Sequence, residues 1–178
     1  MKLDDAASRL AAQIRDVPDF PRKGIVFKDI TPLLQNGPSL KLACELLAAP
    51  FAKSRVDLVV GIESRGFIFA VPVALALGAG FTVARKQGKL PWETRRDSYE
   101  LEYGSAEIEM HSDAVCAGQR VLIVDDVIAT GGTAAATIRL AERLGGEVVG
   151  LTFVIELGFL HGRDKLEGYN VHALVSYE

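Results

Sequence analysis

The sequence predicts an α/β fold, with one domain spanning residues 1–178 and built on a doubly wound, mostly parallel five-stranded sheet. Three observations predict it. Short apolar runs, many of them β-branched, recur near residues 57–62, 81–85, 121–125, 147–155 and 171–175. Such runs suit strands buried on both faces. Stretches with helical spacing and glycine or proline stops fall between strands, clearest at 66–77 and 134–144, and that alternation gives parallel strands with crossover helices. The chain has 178 residues, 49% hydrophobic and 24% charged, enough to bury about 70% of its unfolded surface without disulfides or metals.

Bulk properties exclude several classes. The net charge of −3 offers no polybasic surface for nucleic acid or membrane. Cys44 and Cys116 are far apart with no C-x-x-C, which fits reduced thiols in the cytoplasm. The start, MKLDD, is too acidic for a signal peptide. Residues 66–84 carry no charge over 19 positions, long enough to span a membrane. Pro72 and Gly78-Ala79-Gly80 interrupt them, so a buried helix, a turn and a strand are predicted there. Gly78-x-Gly80 lacks the third glycine of a dinucleotide loop.

In chain order, Leu3, Ala6, Ala7, Leu10 and Ile14 repeat at helical spacing and predict a surface helix. Residues 17–24, VPDFPRKG, predict a proline-rich loop. Thr31-Pro32 is read as N-cap and first helical residue, Asn36-Gly37-Pro38 as the stop, and a further helix runs from 39 to about 49. The strand at 57–62 ends in Glu63-Ser64-Arg65-Gly66, and ligands in open α/β sheets bind at such strand ends. The strand at 81–85 runs into a basic, breaker-rich loop, KQGKLPW. Residues 98–111 alternate apolar and charged around Gly104-Ser105, which predicts an inserted β-hairpin with one wet face. Residues 159–168 form a polar loop or short helix. His111, His161 and His172 have no metal-ligand spacing.

The chain is organised around residues 121–133, VLIVDDVIATGGT. A buried strand leads to adjacent carboxylates, Asp125 and Asp126. Small residues, Ala129, Thr130, Gly131, Gly132 and Thr133, then lead into a helix. A helix N-terminus with free N–H groups binds phosphate, and glycines let the backbone wrap its oxygens. The carboxylates suit a ribose diol or hydrated Mg²⁺. A ribose 5-phosphate fits both halves.

This segment resembles the phosphoribosyl diphosphate (PRPP) signature of the type I phosphoribosyltransferases, and its Asp-Asp and Ala-Thr-Gly-Gly-Thr parts resemble the adenine branch. The resemblance covers about residues 16–150. It implies transfer of the 5-phosphoribosyl group from PRPP to adenine, giving AMP and diphosphate, with Mg²⁺ carried mainly by the substrate and a homodimeric assembly. Residues 19–31, DFPRKGIVFKDIT, alone read as a hydrophobic flap, and they also resemble the family's base-binding hood, here residues 1–35. On that resemblance Phe27 stacks on the purine, while Val26 and Lys28 offer backbone groups; Lys28 stands where the family often has Arg. Ser64 and Arg65, after a cis peptide placed at Glu63-Ser64, are implied to hold the pyrophosphate with Arg85 and Lys89. Gln87 stands where relatives often have Arg. The loop of Lys89 is implied to lie at the dimer interface and reach the partner's site. Residues 86–111 match the flexible loop and hairpin lid, with Glu102 as the proton-transfer carboxylate near purine N7 and Tyr103 closing the lid. Asp125 and Asp126 are the implied catalytic carboxylates. A PRPP-sensing regulator would keep the phosphate loop without needing Glu102, hood and lid together. Another 6-substituted purine as substrate is the rival within the enzyme class.

Overall fold

The computed structural model describes residues 3–100 and 105–178. Its centre is a seven-stranded sheet. Five parallel strands make its body: β3 (Leu58–Ile62), β4 (Gly80–Lys86), β7 (Arg120–Ile128), β8 (Glu147–Leu157) and β9 (Val171–Tyr177). These are the five expected strands. The hairpin, β5 (Thr94–Glu100) and β6 (Ser105–His111), does not stand apart. It joins the sheet at the β4 edge, where Arg85 pairs with Glu109 and Lys86 with Ile108. The sheet therefore has seven strands rather than five, because the hairpin covers backbone groups that an open β4 edge would leave unpaired.

Across the sheet the order is β5-β6-β4-β3-β7-β8-β9. Among the parallel strands the connections reverse direction between β3 and β7, which pair in parallel from Leu58↔Val121 to Gly61↔Val124. Such a switch point opens a crevice at the strands' carboxyl ends. Helices cover both faces. One core joins α3 (Gly37–Ala48) and α4 (Gly66–Leu77) to Val59, Leu122 and Val124. The other joins α5 (Gly132–Arg143) to Val60, Ile62, Val121 and Ile123. The alternation of 121 and 123 with 122 and 124 is the two-residue period of a strand buried on both sides.

The uncharged stretch 66–84 resolves into α4, a left-handed turn at Gly78 and β4. Pro72 lies inside α4. No helix among the described residues is long and apolar enough to cross a membrane.

The expected proline-rich loop is present over residues 19–25, but it joins two strands that the sequence did not predict. After α1 (Leu3–Ala11), β1 (Arg15–Pro18) and β2 (Val26–Asp29) form an antiparallel ribbon. Opposed charges draw it together: Arg15 pairs with Asp29, and the Lys28 ammonium lies 2.7 Å from the Asp16 carboxylate. The helix α2 (Thr31–Gln35) starts one residue earlier than expected, with Ile30 at its N-cap. The Asp29 side chain does the capping instead, accepting from the Thr31 backbone N–H at 2.9 Å and the Thr31 hydroxyl at 2.6 Å.

Those two Thr31 hydrogen bonds, and then Arg15, hold the Asp29 carboxyl down at about 2. A depressed carboxylate stabilises the fold fully above the ordinary aspartate value, and this contribution is lost as pH falls through about 4 towards 2. At pH 7, Asp29→Ala should cost about 1 kcal/mol, lowering Tm by about 2–4 °C. At pH 2 most of that difference should vanish. Thermal melts of both proteins at the two pH values check it.

Candidate active site

A cleft of about 430 Å³ lies at the carboxyl ends of β3 and β7, at the switch point. Three chain segments build its polar wall. The β3–α4 loop brings Glu63, Ser64 and Arg65; β7 brings Asp125 and Asp126; the β7–α5 loop brings residues 129–133. Lys86, Lys89 and Tyr99 close the hairpin side. Sequence reasoning placed the acidic pair after a strand, whereas β7 continues through both carboxylates to Ile128. Successive strand residues face opposite ways, so the two aspartates meet different surroundings.

Asp126 is buried at 5% exposure and accepts a short hydrogen bond from Arg65. Asp125 accepts from the backbone N–H of Asp126 at 2.8 Å. Burial first, and the neighbouring Asp126 second, push the Asp125 carboxyl well above the usual range. Gly66 makes this packing possible: a β-carbon there would lie 2.8 Å from the Asp125 Oδ1 and 2.9 Å from the Val124 carbonyl oxygen. Nothing in the sequence alone marks that contact.

Residues 129–133 form a tight loop at the start of α5. Gly131 is its N-cap, with φ of 74° in the left-handed region that glycine tolerates best. No side chain caps the first turn of α5, nor that of α4, whose N-cap is Arg65. The start of α5 therefore keeps N–H donors and a positive dipole end for an anion in the cleft, whereas at α4 the Phe67 and Ile68 N–H groups already go to the Ser64 and Arg65 carbonyls at 3.3 and 3.1 Å. The loop's back is covered by Gly162, which sequence reasoning missed. A β-carbon at Gly131 would sit 2.1 Å from the Gly162 carbonyl oxygen.

The cations are less free than the sequence suggests. Glu63, with its side chain 7% exposed, receives Arg85 Nε at 3.1 Å and Lys89 Nζ at 2.7 Å. Its other partner is the Lys86 backbone N–H at 3.1 Å. Burial raises the Glu63 carboxyl, but Lys89, Arg85 and the Lys86 N–H together outweigh it and hold it below its ordinary value. Glu109, 1% exposed, accepts the backbone N–H groups of Lys89 and Leu90 at 3.0 and 3.2 Å and so fixes the basic loop. Lys89 thus lines the cleft of its own chain. The Glu63–Ser64 peptide is cis.

The β2 ribbon stands beside this cleft. The Arg65 guanidinium lies 5.6 Å from the centre of the Phe27 ring, within reach of a cation–π contact. Phe20 meets Phe27 edge to face at 5.3 Å. Val26 is exposed. The Lys28 side chain turns elsewhere, to Asp16 and over the Tyr177 ring at 3.9 Å, which leaves only its backbone for a ligand here. Glu102 and Tyr103 lie outside the described residues.

Residues 31–172 match the family model of the phosphoribosyl transferase domain. An adenine phosphoribosyltransferase of Thermobifida fusca is 56% identical over 172 residues, 97% of this chain and 98% of that protein. The chain belongs to the adenine phosphoribosyltransferase family. Among solved structures, the adenine phosphoribosyltransferase of Rhodothermus marinus superposes with a TM-score of 0.94 at 55% identity, over 98% of this chain and 99% of that one. The Saccharomyces cerevisiae enzyme, solved with an imino-altritol bisphosphate and adenine, gives a TM-score of 0.90 at 42% identity, over 96% of this chain and 99% of that one. The enzyme is a pentosyltransferase: it transfers the 5-phosphoribosyl group of PRPP to adenine, forming AMP and diphosphate.

Proposed function

We propose that this transfer takes place in the cleft at the β3–β7 switch point, with the following division of labour. The observation that carries it is the convergence there of the uncapped start of α5, an acidic pair and a cluster of cations. Ala129, Thr130, Gly131, Gly132 and Thr133 cradle the 5′-phosphate. Asp125 and Asp126 face the ribose diol. Ser64, Arg65, Arg85 and Lys89 take the pyrophosphate, whose negative charge competes with Glu63 for the two cations. Phe27 stacks on adenine, and the backbone of Val26 and Lys28 meets its hydrogen-bonding edge.

Bond breaking at the anomeric carbon leaves positive charge on the ribose. That charge favours the ionised form of Asp125, which burial disfavours in the free protein. The interaction is therefore stronger in the transition state than in the ground state, as catalysis requires. Among the described residues no group of three or more His, Cys, Asp or Glu is placed to hold a metal. The adjacent carboxylates suit a hydrated Mg²⁺ that arrives with PRPP, where it offsets charge on the leaving diphosphate. Glu102 handles the proton at the purine, and Tyr103 helps exclude water. A C₂ homodimer in the cytoplasm is part of the proposal.

A turnover assay with PRPP and adenine, hypoxanthine or guanine tests the reading. AMP should form rapidly, and IMP and GMP at least about tenfold more slowly. Binding of PRPP without turnover of any base would instead favour a PRPP sensor.

A further inference from the structure

We infer that the turn at residues 158–166, far from the signature in sequence, is the rear wall of the phosphate cradle, and that Gly162 is the positioning residue through which it acts. The inference rests on the reading of residues 129–133 as the 5′-phosphate site. Two backbones cross here without side chains between them. A β-carbon at Gly162 would lie 2.1 Å from the Ala129 carbonyl oxygen and 2.8 Å from the Gly131 amide nitrogen. A β-carbon at Gly131 would in turn lie 2.1 Å from the Gly162 carbonyl oxygen. Neither glycine can gain a methyl group unless one backbone moves, since such separations lie far inside van der Waals contact.

The turn is not free to give way. Leu166, at its end, is buried in the core beside α5. Arg163 donates to the Glu156 carboxylate at 2.8 Å and to the Val171 carbonyl at 2.8 Å, tying the turn to β8 and β9. The Tyr169 hydroxyl donates to Glu142 on α5 at 2.7 Å, fixing the segment that follows. The strain of an added methyl group therefore falls on the loop 129–131. Donors aimed at phosphate oxygens lose much of their worth once distance and angle drift. The turn thus sets the geometry of a loop that touches substrate without touching substrate itself.

The test is Gly162→Ala, with calorimetric titration of AMP and of adenosine, which lacks the phosphate, and a thermal melt. AMP affinity should fall about tenfold or more, the worth of one charge-assisted hydrogen bond. Adenosine affinity should stay within about twofold, a split that general loosening of the fold would not produce. Unchanged AMP affinity in a folded Gly162→Ala protein overturns the inference. Should that variant fail to fold, Arg163→Ala, at an exposed position, decides instead. A severalfold loss for AMP alone supports the clamp, and no loss overturns it. Gly131→Val separates the two readings. If it abolishes AMP binding while Gly162→Ala does not, only the clamp fails; if both leave AMP binding intact, the cradle is misplaced.

Discussion

Replacing Glu102 by Gln should lower kcat by about 10²–10⁴-fold, the usual loss when a general acid–base group keeps its shape but can no longer exchange a proton. PRPP affinity should stay nearly unchanged, because the residues proposed to hold PRPP, 64–65, 125–126 and 129–133, lie outside the hairpin. Glu102 lies between Glu100 and Ser105, which pair as the last rungs of the β5–β6 hairpin, and Tyr99 of that hairpin lines the cleft. The hairpin is fastened to α5 as well. Asp97 on β5 receives Arg139 of α5 at 2.9 and 3.1 Å, and Arg143 of α5 at a shorter distance. The strand before Glu102 is thus anchored to α5, the helix whose start is proposed to hold the phosphate. A proton-transfer role predicts a kcat loss without a matching rise in the KM for PRPP. Steady-state kinetics at saturating adenine separates the two, and a variant within about threefold of wild type would remove Glu102 from the mechanism.

What the sequence made legible was local in origin. The five parallel strands announce themselves as short β-branched runs, and the position of α4 between Gly66 and Gly78 follows from its end signals. The acidic pair and the small-residue loop sit within nine positions of each other, so their meeting needs no knowledge of the fold. The β1–β2 ribbon was not legible, because its pairing depends on charges brought together across a turn rather than on an apolar run. The hairpin was visible as a hairpin, but not its attachment to β4, which joins residues 85 and 109. Arg85 and Lys89 read from sequence as cations for the pyrophosphate. Only the fold shows that Glu63 holds both, since 22 and 26 residues separate the partners. Gly66 and Gly162 were silent for the same reason: what matters there is how closely another segment approaches, and a glycine codon carries no record of its neighbour.

Gly131→Val tests the phosphate cradle at its most constrained point, and two independent costs fall on it. Gly131 has φ of 74°, where a β-branched residue is a genuine outlier. Its β-carbon would also lie 2.1 Å from the Gly162 carbonyl oxygen, and the turn behind it is tied down by Arg163 and Leu166. The loop must therefore shift towards the cleft or unwind the first turn of α5. Either movement takes backbone N–H donors away from a 5′-phosphate. Losing two charge-assisted hydrogen bonds of about 1.5–3 kcal/mol each predicts that AMP and PRPP bind at least about 10²-fold more weakly. Adenine should bind about as before, because Val26, Phe27 and Lys28, proposed to hold it, lie on β2, a separate element. The comparison between adenine and AMP guards against simple misfolding, which would weaken both. Calorimetry that finds AMP affinity unchanged would move the 5′-phosphate out of residues 129–133, and with it the orientation assigned to ribose and diphosphate along the cleft.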